Sequence, residues 1–237
     1  MTTDVRNWLV TLIVALSLAS PAVAGPYEDA VAGYEAEQQG NYDEALRLYT
    51  SAAEAGNDYA QYSLATLYLT GTGVSQDYAQ AANWFRKAAE QGNVEAQFNL
   101  ARLLDSGTGV AVNGVEAAKW YTGPAEQGNL DAQVNLAFLY YTGKGVAKDN
   151  ATAVKWFQMA ANKGHTGAQY NLGLLLVSDE APQDFVRAFK WLSLAENNAT
   201  DAEQRDQAAT ARSDLEARMT PAQIAKAETL TSEWAVQ

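Results

Sequence analysis

Small and hydrophobic residues recur along the middle of the chain with a fixed spacing. The most regular segments begin at three glycines that are 36 positions apart: Gly56, Gly92 and Gly128. Within the first segment Ala60, Leu64 and Leu67 are spaced i, i+4 and i+7, which places them on one face of an α-helix. The later segments carry alanine and leucine at the same offsets, and a glutamine follows each alanine. The pattern predicts one amphipathic helix at the start of every period.

A second helix is predicted in the second half of each period. It starts after Asp77, Asn113 or Asp149, whose side chains can accept a hydrogen bond from the first helical turn. Glu116 stands three positions after Asn113, which is the spacing of a capping box. A Gly-x-Gly-Val segment separates the two helices, and the glycine that opens the next period suits the left-handed conformation that ends a helix. Each period therefore predicts a helix hairpin.

The second helices lead to two specific expectations. We expect one tryptophan of each helix to lie in the hydrophobic core, and the set comprises Trp84, Trp120, Trp156 and Trp191. One helix contains the sequence Thr122-Gly123-Pro124. Because proline removes a helical hydrogen bond and clashes with the preceding turn, we predict a kink or an early end near Thr122.

The repeated order of motifs is Gly-Asn-x-x-Ala-Gln, Leu-Ala-x-Leu-Tyr, Gly-x-Gly-Val, Ala-Ala and Trp-Phe. This order resembles the Sel1-like repeat, a relative of the tetratricopeptide repeat with a longer loop between its helices. The resemblance covers about residues 56–196. It implies an all-α fold, a right-handed α/α superhelical solenoid of Sel1-like and tetratricopeptide-like helix hairpins with C-terminal capping helices.

The flanking segments depart from this pattern. Residues 26–55 lack the Gly-x-Gly-Val loop and resemble an ordinary tetratricopeptide unit, whereas the polar segments near the C-terminus predict helices that cap the last exposed core. Thr220, Pro221 and Gln223 have the order of a helix start: cap, N1 and N3. The predicted segments are a cleavable signal peptide at 1–24, a tetratricopeptide-like hairpin at 25–55, Sel1-like repeats at 56–91, 92–127 and 128–163, a degenerate fourth repeat at 164–198, and capping helices at 199–237.

The signal peptide is predicted from an apolar run, Trp8 to Leu18, that precedes small residues and an expected cleavage site after Ala24. The alternative is a membrane anchor, but the run is about half as long as the ~20 apolar residues that span a bilayer. We therefore expect a periplasmic or secreted protein with no stable membrane insertion after cleavage.

Composition narrows the range of partners. The formal net charge is −12 at pH 7, which repels phosphate backbones, so nucleic acid is not expected as a partner.

The chain has no cysteine, so stability must come from packing rather than from disulfides. We expect a monomer.

Residues that could support catalysis are sparse. The single histidine, His165, occupies the turn position that Asn57, Asn93 and Asn129 hold in the other repeats, so we interpret it as a turn residue. One histidine and no cysteine cannot assemble a transition-metal site of nitrogen and sulfur ligands. We also find no phosphate-binding loop or nucleophile elbow. The sequence predicts no catalytic, cofactor or metal site.

Positions of the first helices that lie off the apolar stripe differ from repeat to repeat. By analogy with tetratricopeptide proteins, we expect them to line a concave groove that binds a partner. The predicted groove residues are Tyr59, Tyr62, Thr66, Leu69, Phe98, Asn99, Arg102, Val134, Asn135, Phe138, Tyr141, Tyr170, Asn171 and Leu174. The aromatic side chains either bind a partner or pack against the next repeat, and the asparagines either bond a peptide backbone or join neighbouring repeats.

The resemblance implies an exported, non-enzymatic module for protein–protein interaction, such as an adaptor, a scaffold or a regulator in the bacterial envelope. Its partner would be a protein or peptide. Two alternatives stay open: a β-lactamase-like hydrolase, which some cysteine-rich relatives suggest, and a protein that binds peptidoglycan through its aromatic residues.

Overall fold

The structure, a computed structural model, describes residues 25–178 and 183–234, and the predicted signal peptide lies outside these residues. The described residues form twelve α-helices and no strand. The chain divides into two compact units, one up to Gln76 and one from Asp77 onward. Unit 1 contains α1 (Pro26–Gln38), α2 (Tyr42–Glu54) and α3 (Asp58–Thr70).

Unit 2 contains the other nine described helices. They are α4 (Tyr78–Glu90), α5 (Val94–Ser106), α6 (Gly114–Glu126), α7 (Leu130–Thr142), α8 (Asn150–Asn162), α9 (Thr166–Val177), α10 (Phe185–Asn198), α11 (Ala202–Glu216) and α12 (Pro221–Trp234). Consecutive helices pack against each other from α1 to α3 in unit 1 and from α4 to α11 in unit 2, and α12 packs against α10. The predicted fold class, an all-α repeat of helix hairpins, is confirmed.

The repeated polar residues begin the helices as predicted. Asn57 Oδ1 accepts a hydrogen bond from the backbone N–H of Ala60 at 2.8 Å, and Asn93 and Asn129 make the equivalent bonds. Asp77, Asn113 and Asp149 cap α4, α6 and α8 in the same way. Each cap satisfies a backbone donor that has no partner within its helix.

The capping box predicted at Asn113 and Glu116 forms only in part. The side chain of Asn113 accepts from the Glu116 N–H at 3.1 Å, but the Asn113 N–H donates to the carbonyl of Leu104 instead of to Glu116. The Glu116 carboxylate is engaged by the Arg86 guanidinium, which holds its pKa below the usual value, and by the indole N–H of Trp120. At the predicted start of α12 a complete capping box forms, because the Thr220 N–H donates to Gln223 Oε1 and the Gln223 N–H donates to Thr220 Oγ1.

A repeated glutamine joins one hairpin to the next. We call the contact between the second helix of one repeat and the first helix of the next a joint. At the four joints a glutamine Nε2 donates to an alanine carbonyl eight residues earlier: Gln61 to Ala53, Gln97 to Ala89, Gln133 to Ala125 and Gln169 to Ala161. The bond spans two helices, which explains why glutamine recurs at this offset.

The loops also touch the preceding repeat. Gly145, in the Gly-x-Gly-Val loop between α7 and α8, has φ +82° and faces the start of α6. A Cβ atom at this position would lie 1.9 Å from the carbonyl carbon of Gly114. Only glycine allows this approach, so the loop packs directly on backbone.

The tryptophan prediction is correct for two of the four residues. Trp120 and Trp191 are buried, whereas Trp84 and Trp156 are only partly buried. In those repeats the core is filled by the next residue, Phe85 or Phe157. Successive residues are about 100° apart around a helix, and in these two repeats the phenylalanine points along the apolar stripe. Trp84 lies at its edge, with Lys87 Nζ 3.8 Å from the ring centroid.

The C-terminal helix explains the burial of Trp191. The ring of Trp234 meets the ring of Trp191 edge-on, with centroids 5.3 Å apart, and Lys190 Nζ lies 4.4 Å from each. Burial is the main cause that lowers the pKa of Lys190. Helix α12 therefore covers the end of the core that α10 would otherwise expose.

The early helix end predicted near Thr122 is wrong. Helix α6 continues to Glu126 with Pro124 inside it. Proline at this point removes one hydrogen bond close to the end of the helix, and the Thr122 hydroxyl donates to the Ala118 carbonyl at 2.8 Å. The carbonyl of Pro124 still accepts from the Asn129 N–H at 3.0 Å, as Ala88 does from Asn93. The alternative, a local kink, stays a prediction.

Candidate partner-binding face

The predicted groove residues all lie on first helices, at the surface of their units. Each of them is exposed or partly exposed. Four belong to unit 1 and are considered separately: Tyr59, Tyr62, Thr66 and Leu69. The other ten belong to unit 2, where α5, α7 and α9 carry them, and we call them the first-helix face.

In unit 1 some of these side chains are held by their own unit. The ring of Tyr59 meets Tyr49 edge-on, with centroids 6.4 Å apart, and burial raises the pKa of both tyrosines. Tyr49 donates its hydroxyl hydrogen to Glu37 Oε2 at 2.7 Å. Thr66 Oγ1 donates to the Tyr62 carbonyl at 3.0 Å. Tyr59 is thus partly a packing residue.

In unit 2 the aromatic residues of the face rest on buried aromatic rings. Phe98 lies against Tyr121, with centroids 6.0 Å apart, and Phe138 meets Phe157 edge-on at 5.2 Å. Phe138 is nevertheless 38% exposed. Both interpretations offered by the sequence are therefore partly right: each ring packs on its own hairpin and also presents a surface to solvent.

The asparagines at the repeated position make local bonds. Asn99 Nδ2 donates to the carbonyl of Glu95 at 2.9 Å, and Asn171 Nδ2 donates to the carbonyl of Gly167 at 2.7 Å. Burial raises the pKa of Tyr121, and the side chain of Asn135 partly opposes this shift. The interpretation that these asparagines join neighbouring repeats is therefore wrong for Asn99 and Asn171, because their amides bond within their own helices.

Three clefts border α9, and one of them, of about 440 Å³ at the start of the helix, is lined by His165, Thr166 and Gln204 among others. The other two lie towards α7 and towards α11. The first of these two has a volume of about 100 Å³ and is largely apolar. It is lined by Phe138, Tyr141, Phe157, Asn171, Leu174 and Leu175. Leu174 is 40% exposed at its mouth. This cleft brings together residues of α7 and α9 that the sequence assigned to the groove.

The second cleft has a volume of about 690 Å³ and lies between α9 and α11. It is lined by Tyr170, Glu203, Asp206, Gln207, Thr210, Ala211 and Asp214. From the sequence, α11 was predicted only as a capping helix, and its contribution to a cleft beside α9 was not predicted. The spacing of Glu203, Gln207, Thr210 and Asp214 at i, i+4, i+7 and i+11 indicates one helix face and could have revealed it.

His165 is a helix cap. Its Nδ1 accepts from the Ala168 N–H at 3.1 Å, and its Nε2 lies 3.1 Å from Asp131 Oδ1. Because Nδ1 is an acceptor, the hydrogen of the neutral ring is on Nε2 and points to the carboxylate. Among residues 25–178 and 183–234, no cluster of three or more histidine, aspartate or glutamate side chains could hold a metal ion. Within the same ranges no helix has the length and apolar character needed to cross a bilayer.

Comparison with known proteins places this geometry in context. An exopolysaccharide production negative regulator of Rhizobium leguminosarum bv. viciae is 33% identical over 79 residues. That match covers 29% of this chain and 30% of the relative, so the chain spans under a third of the relative's length.

Solved structures match over a larger part of the chain. A Sel1 repeat protein from Oxalobacter formigenes has a TM-score of 0.65 and 33% identity, over 77% of this chain and 75% of that one. YrrB, described as a tetratricopeptide repeat protein with an unusual peptide-binding site, has a TM-score of 0.56 and 19% identity, over 77% of this chain and 91% of that one. The second likeness concerns the fold alone.

The repeat itself gives the most extensive match. The sequence profile of the Sel1 repeat matches five consecutive segments that together make up more than half of the chain: 33–57, 58–93, 94–129, 130–165 and 166–198. The segment boundaries proposed from the sequence remain a prediction. The chain belongs to the Sel1 repeat family.

Proposed function

We propose that this protein is an exported, non-enzymatic adaptor that binds a protein or peptide partner on the first-helix face of unit 2. The observation that carries the proposal is the apolar cleft between α7 and α9, where Phe138 and Leu174 are 38% and 40% exposed. Large apolar side chains around a concave surface favour association with a partner because their burial removes apolar area from water.

Variation between repeats supports the same proposal. One position of the first helix is Arg102, Phe138 and Leu174 in successive repeats of unit 2, while the alanine and glutamine of the joint do not change. Packing requires the constant residues, as the glutamine bonds demonstrate. The variable positions are free to be selected for contacts with another molecule.

The fold adds general support. The Sel1 repeat is a protein-interaction scaffold, and the tetratricopeptide fold of YrrB carries a peptide-binding site in that protein. The relative from Rhizobium is a negative regulator, which is compatible with a regulatory adaptor. Neither relative assigns a partner or a contact residue to this chain.

A capture experiment tests the binding face. The purified protein is used as bait in an envelope extract of the organism that makes it, beside a variant with Phe138→Ala and Leu174→Ser. A matched control carries Val115→Ala and Met159→Ser, which alter exposed apolar residues on second helices. We expect the control to retain the proteins captured by the wild type and the face variant to lose them. Equal capture by all three proteins would refute the proposal that the partner binds the first-helix face.

Export is tested independently of binding. Fractionation of cells that express the full chain should recover the protein outside the cytoplasm, and deletion of residues 2–24 should retain it inside.

The two alternative functions are tested on the purified protein. A nitrocefin assay tests for a β-lactamase-like hydrolase, and co-sedimentation with peptidoglycan tests for binding to the cell wall. We expect neither hydrolysis nor sedimentation.

A further inference from the structure

Helix α11 extends the first-helix face with an acidic wall. It lies beside α9 and closes the larger cleft with one of its faces. The side chains of Glu203, Asp206 and Asp214 line that cleft and are all exposed, while Tyr170 of α9 forms the opposite wall. A helix that only capped the core would not need three carboxylates on the side that faces α9.

These carboxylates have no counter-charge in the described part of the chain. None of the three forms an ion pair there, and no lysine or arginine lines the cleft. The contrast is Arg212 of the same helix, which pairs with Glu196 at 2.8 Å and with Glu216 at 3.3 Å away from the cleft. Like charges on one helix face repel each other, and a cation from outside would relieve this repulsion.

The acidic wall and the apolar cleft lie on opposite flanks of the same helix. Leu174 of α9 lines the apolar cleft, and Tyr170, one turn earlier, lines the acidic one. Packed helices are about 8–10 Å apart, and an extended chain advances about 3.3 Å per residue. A segment that crosses α9 from one cleft to the other therefore needs about three residues.

We propose that the partner segment is basic and amphipathic: an apolar side chain enters the cleft at Phe138 and Leu174, and a lysine or arginine about three residues away lies against Asp206 or Asp214. This inference rests on the proposed function and specifies the chemistry of its partner. Charge complementarity selects the partner, because the cleft offers unpaired carboxylates. The apolar contact contributes affinity that is independent of salt.

Selection from a random peptide library displayed on phage tests the partner class. The baits are the wild-type protein, an Asp206→Lys/Asp214→Lys variant, and a Glu126→Lys/Glu228→Lys control. The control makes the same change of charge at exposed carboxylates outside both clefts. All baits are first compared by circular dichroism and thermal unfolding, so that a misfolded variant is recognised and replaced by Asp206→Asn/Asp214→Asn.

The wild type and the control should select peptides in which a basic residue stands about three positions from a large apolar one. A selected peptide should bind the Asp206→Lys/Asp214→Lys variant at least about tenfold more weakly. Its affinity for the wild type should fall when the ionic strength rises from about 0.15 M to about 1 M. Its affinity for the Asp206→Lys/Asp214→Lys variant should not fall, because salt there screens a repulsion instead of an attraction.

Other outcomes separate this inference from the function on which it rests. Some selected peptides could require Leu174 for binding and yet show no preference for basic residues. This result would refute the basic character of the partner and leave the proposed binding face intact. Selection of no peptide that depends on Leu174 would overturn both. Self-association in sedimentation velocity that Leu174→Ser abolishes would assign the surface to a second copy of the chain and would also overturn the proposal.

Discussion

At the joints of unit 2 the same side chains recur, whereas on the first-helix face they change. Gln97, Gln133 and Gln169 each donate to an alanine carbonyl of the preceding repeat. On the face, the residue that follows each of these glutamines is Phe98, Val134 or Tyr170. The two regions are built from the same helices. The glutamine position is constant between repeats, and the position that follows it varies.

The difference shows what each region must do. A joint brings the backbones of two helices close together. It therefore requires small residues and a glutamine side chain long enough to reach the alanine carbonyl. The face contacts solvent in the isolated chain, so its residues are only partly fixed by packing, and Phe138 and Leu174 remain exposed although they are large and apolar. Substitutions at joints should therefore change stability, and substitutions on the face should change binding.

The largest effect is expected at a loop glycine that packs on the preceding repeat. Gly145→Ala places a Cβ atom 1.9 Å from the carbonyl carbon of Gly114, and backbone must move. We expect a loss of about 3 kcal/mol in the free energy of unfolding, measured by urea denaturation. Gly128→Ala is the control, since its φ of +89° is similar and no atom lies within 4 Å. Its cost should be about 1 kcal/mol. Equal losses would contradict a close contact at Gly145.

The joint glutamines should differ among themselves. Gln169 donates to the carbonyl of Ala161 and accepts from Asn198 Nδ2 at 3.1 Å, whereas Gln133 Oε1 is buried without a hydrogen-bond partner in the described structure. Methionine has a similar volume and makes neither bond. Gln169→Met should lower the free energy of unfolding by about 2 kcal/mol and Gln133→Met by about 1 kcal/mol or less. The reverse order would show that the amide bonds do not determine the cost.

A smaller effect is expected at the cap of α9. His165→Ala removes the acceptor of the Ala168 N–H and should cost about 1 kcal/mol. His165→Asn places the residue of the other repeats at this position and should leave stability nearly unchanged. Thermal unfolding of both variants provides the comparison, and a large loss in His165→Asn would point to a role beyond capping.

The smallest effect on stability is expected on the face itself. Leu174→Ser and Met159→Ser alter side chains that are 40% and 44% exposed. Each should change the free energy of unfolding by about 1 kcal/mol or less, because a large part of each side chain already contacts water in the folded chain. A much larger loss in Leu174→Ser would mean that Leu174 is a core residue and would weaken its assignment to a binding surface.

Much of the fold can be predicted from the sequence because its determinants are local. Residues such as Asn93 and Asp77 act on their own helical turn, so their capping role follows from position alone. The choice between Trp84 and Phe85 as the core residue is different, because a small rotation of the helix decides it. The ion pair of Glu116 with Arg86 also escaped prediction, because the two residues are 30 positions apart in the sequence.

The candidate site could be predicted only where it repeats. Phe138 and Leu174 stand at corresponding positions of successive repeats, so their common face follows from the period. Helix α11 lies outside the period, and its contact with α9 depends on tertiary packing. Asp206 and Asp214 therefore entered the site only when the structure placed α11 beside Tyr170.

The most direct test of the central claim is photo-crosslinking in living cells from two positions of similar exposure. A photoreactive phenylalanine analogue replaces Leu174 on the first-helix face or Met159 on a second helix. If the face binds the partner, position 174 yields a discrete crosslinked species and position 159 does not. The same species from both positions, or from position 159 alone, would contradict the account.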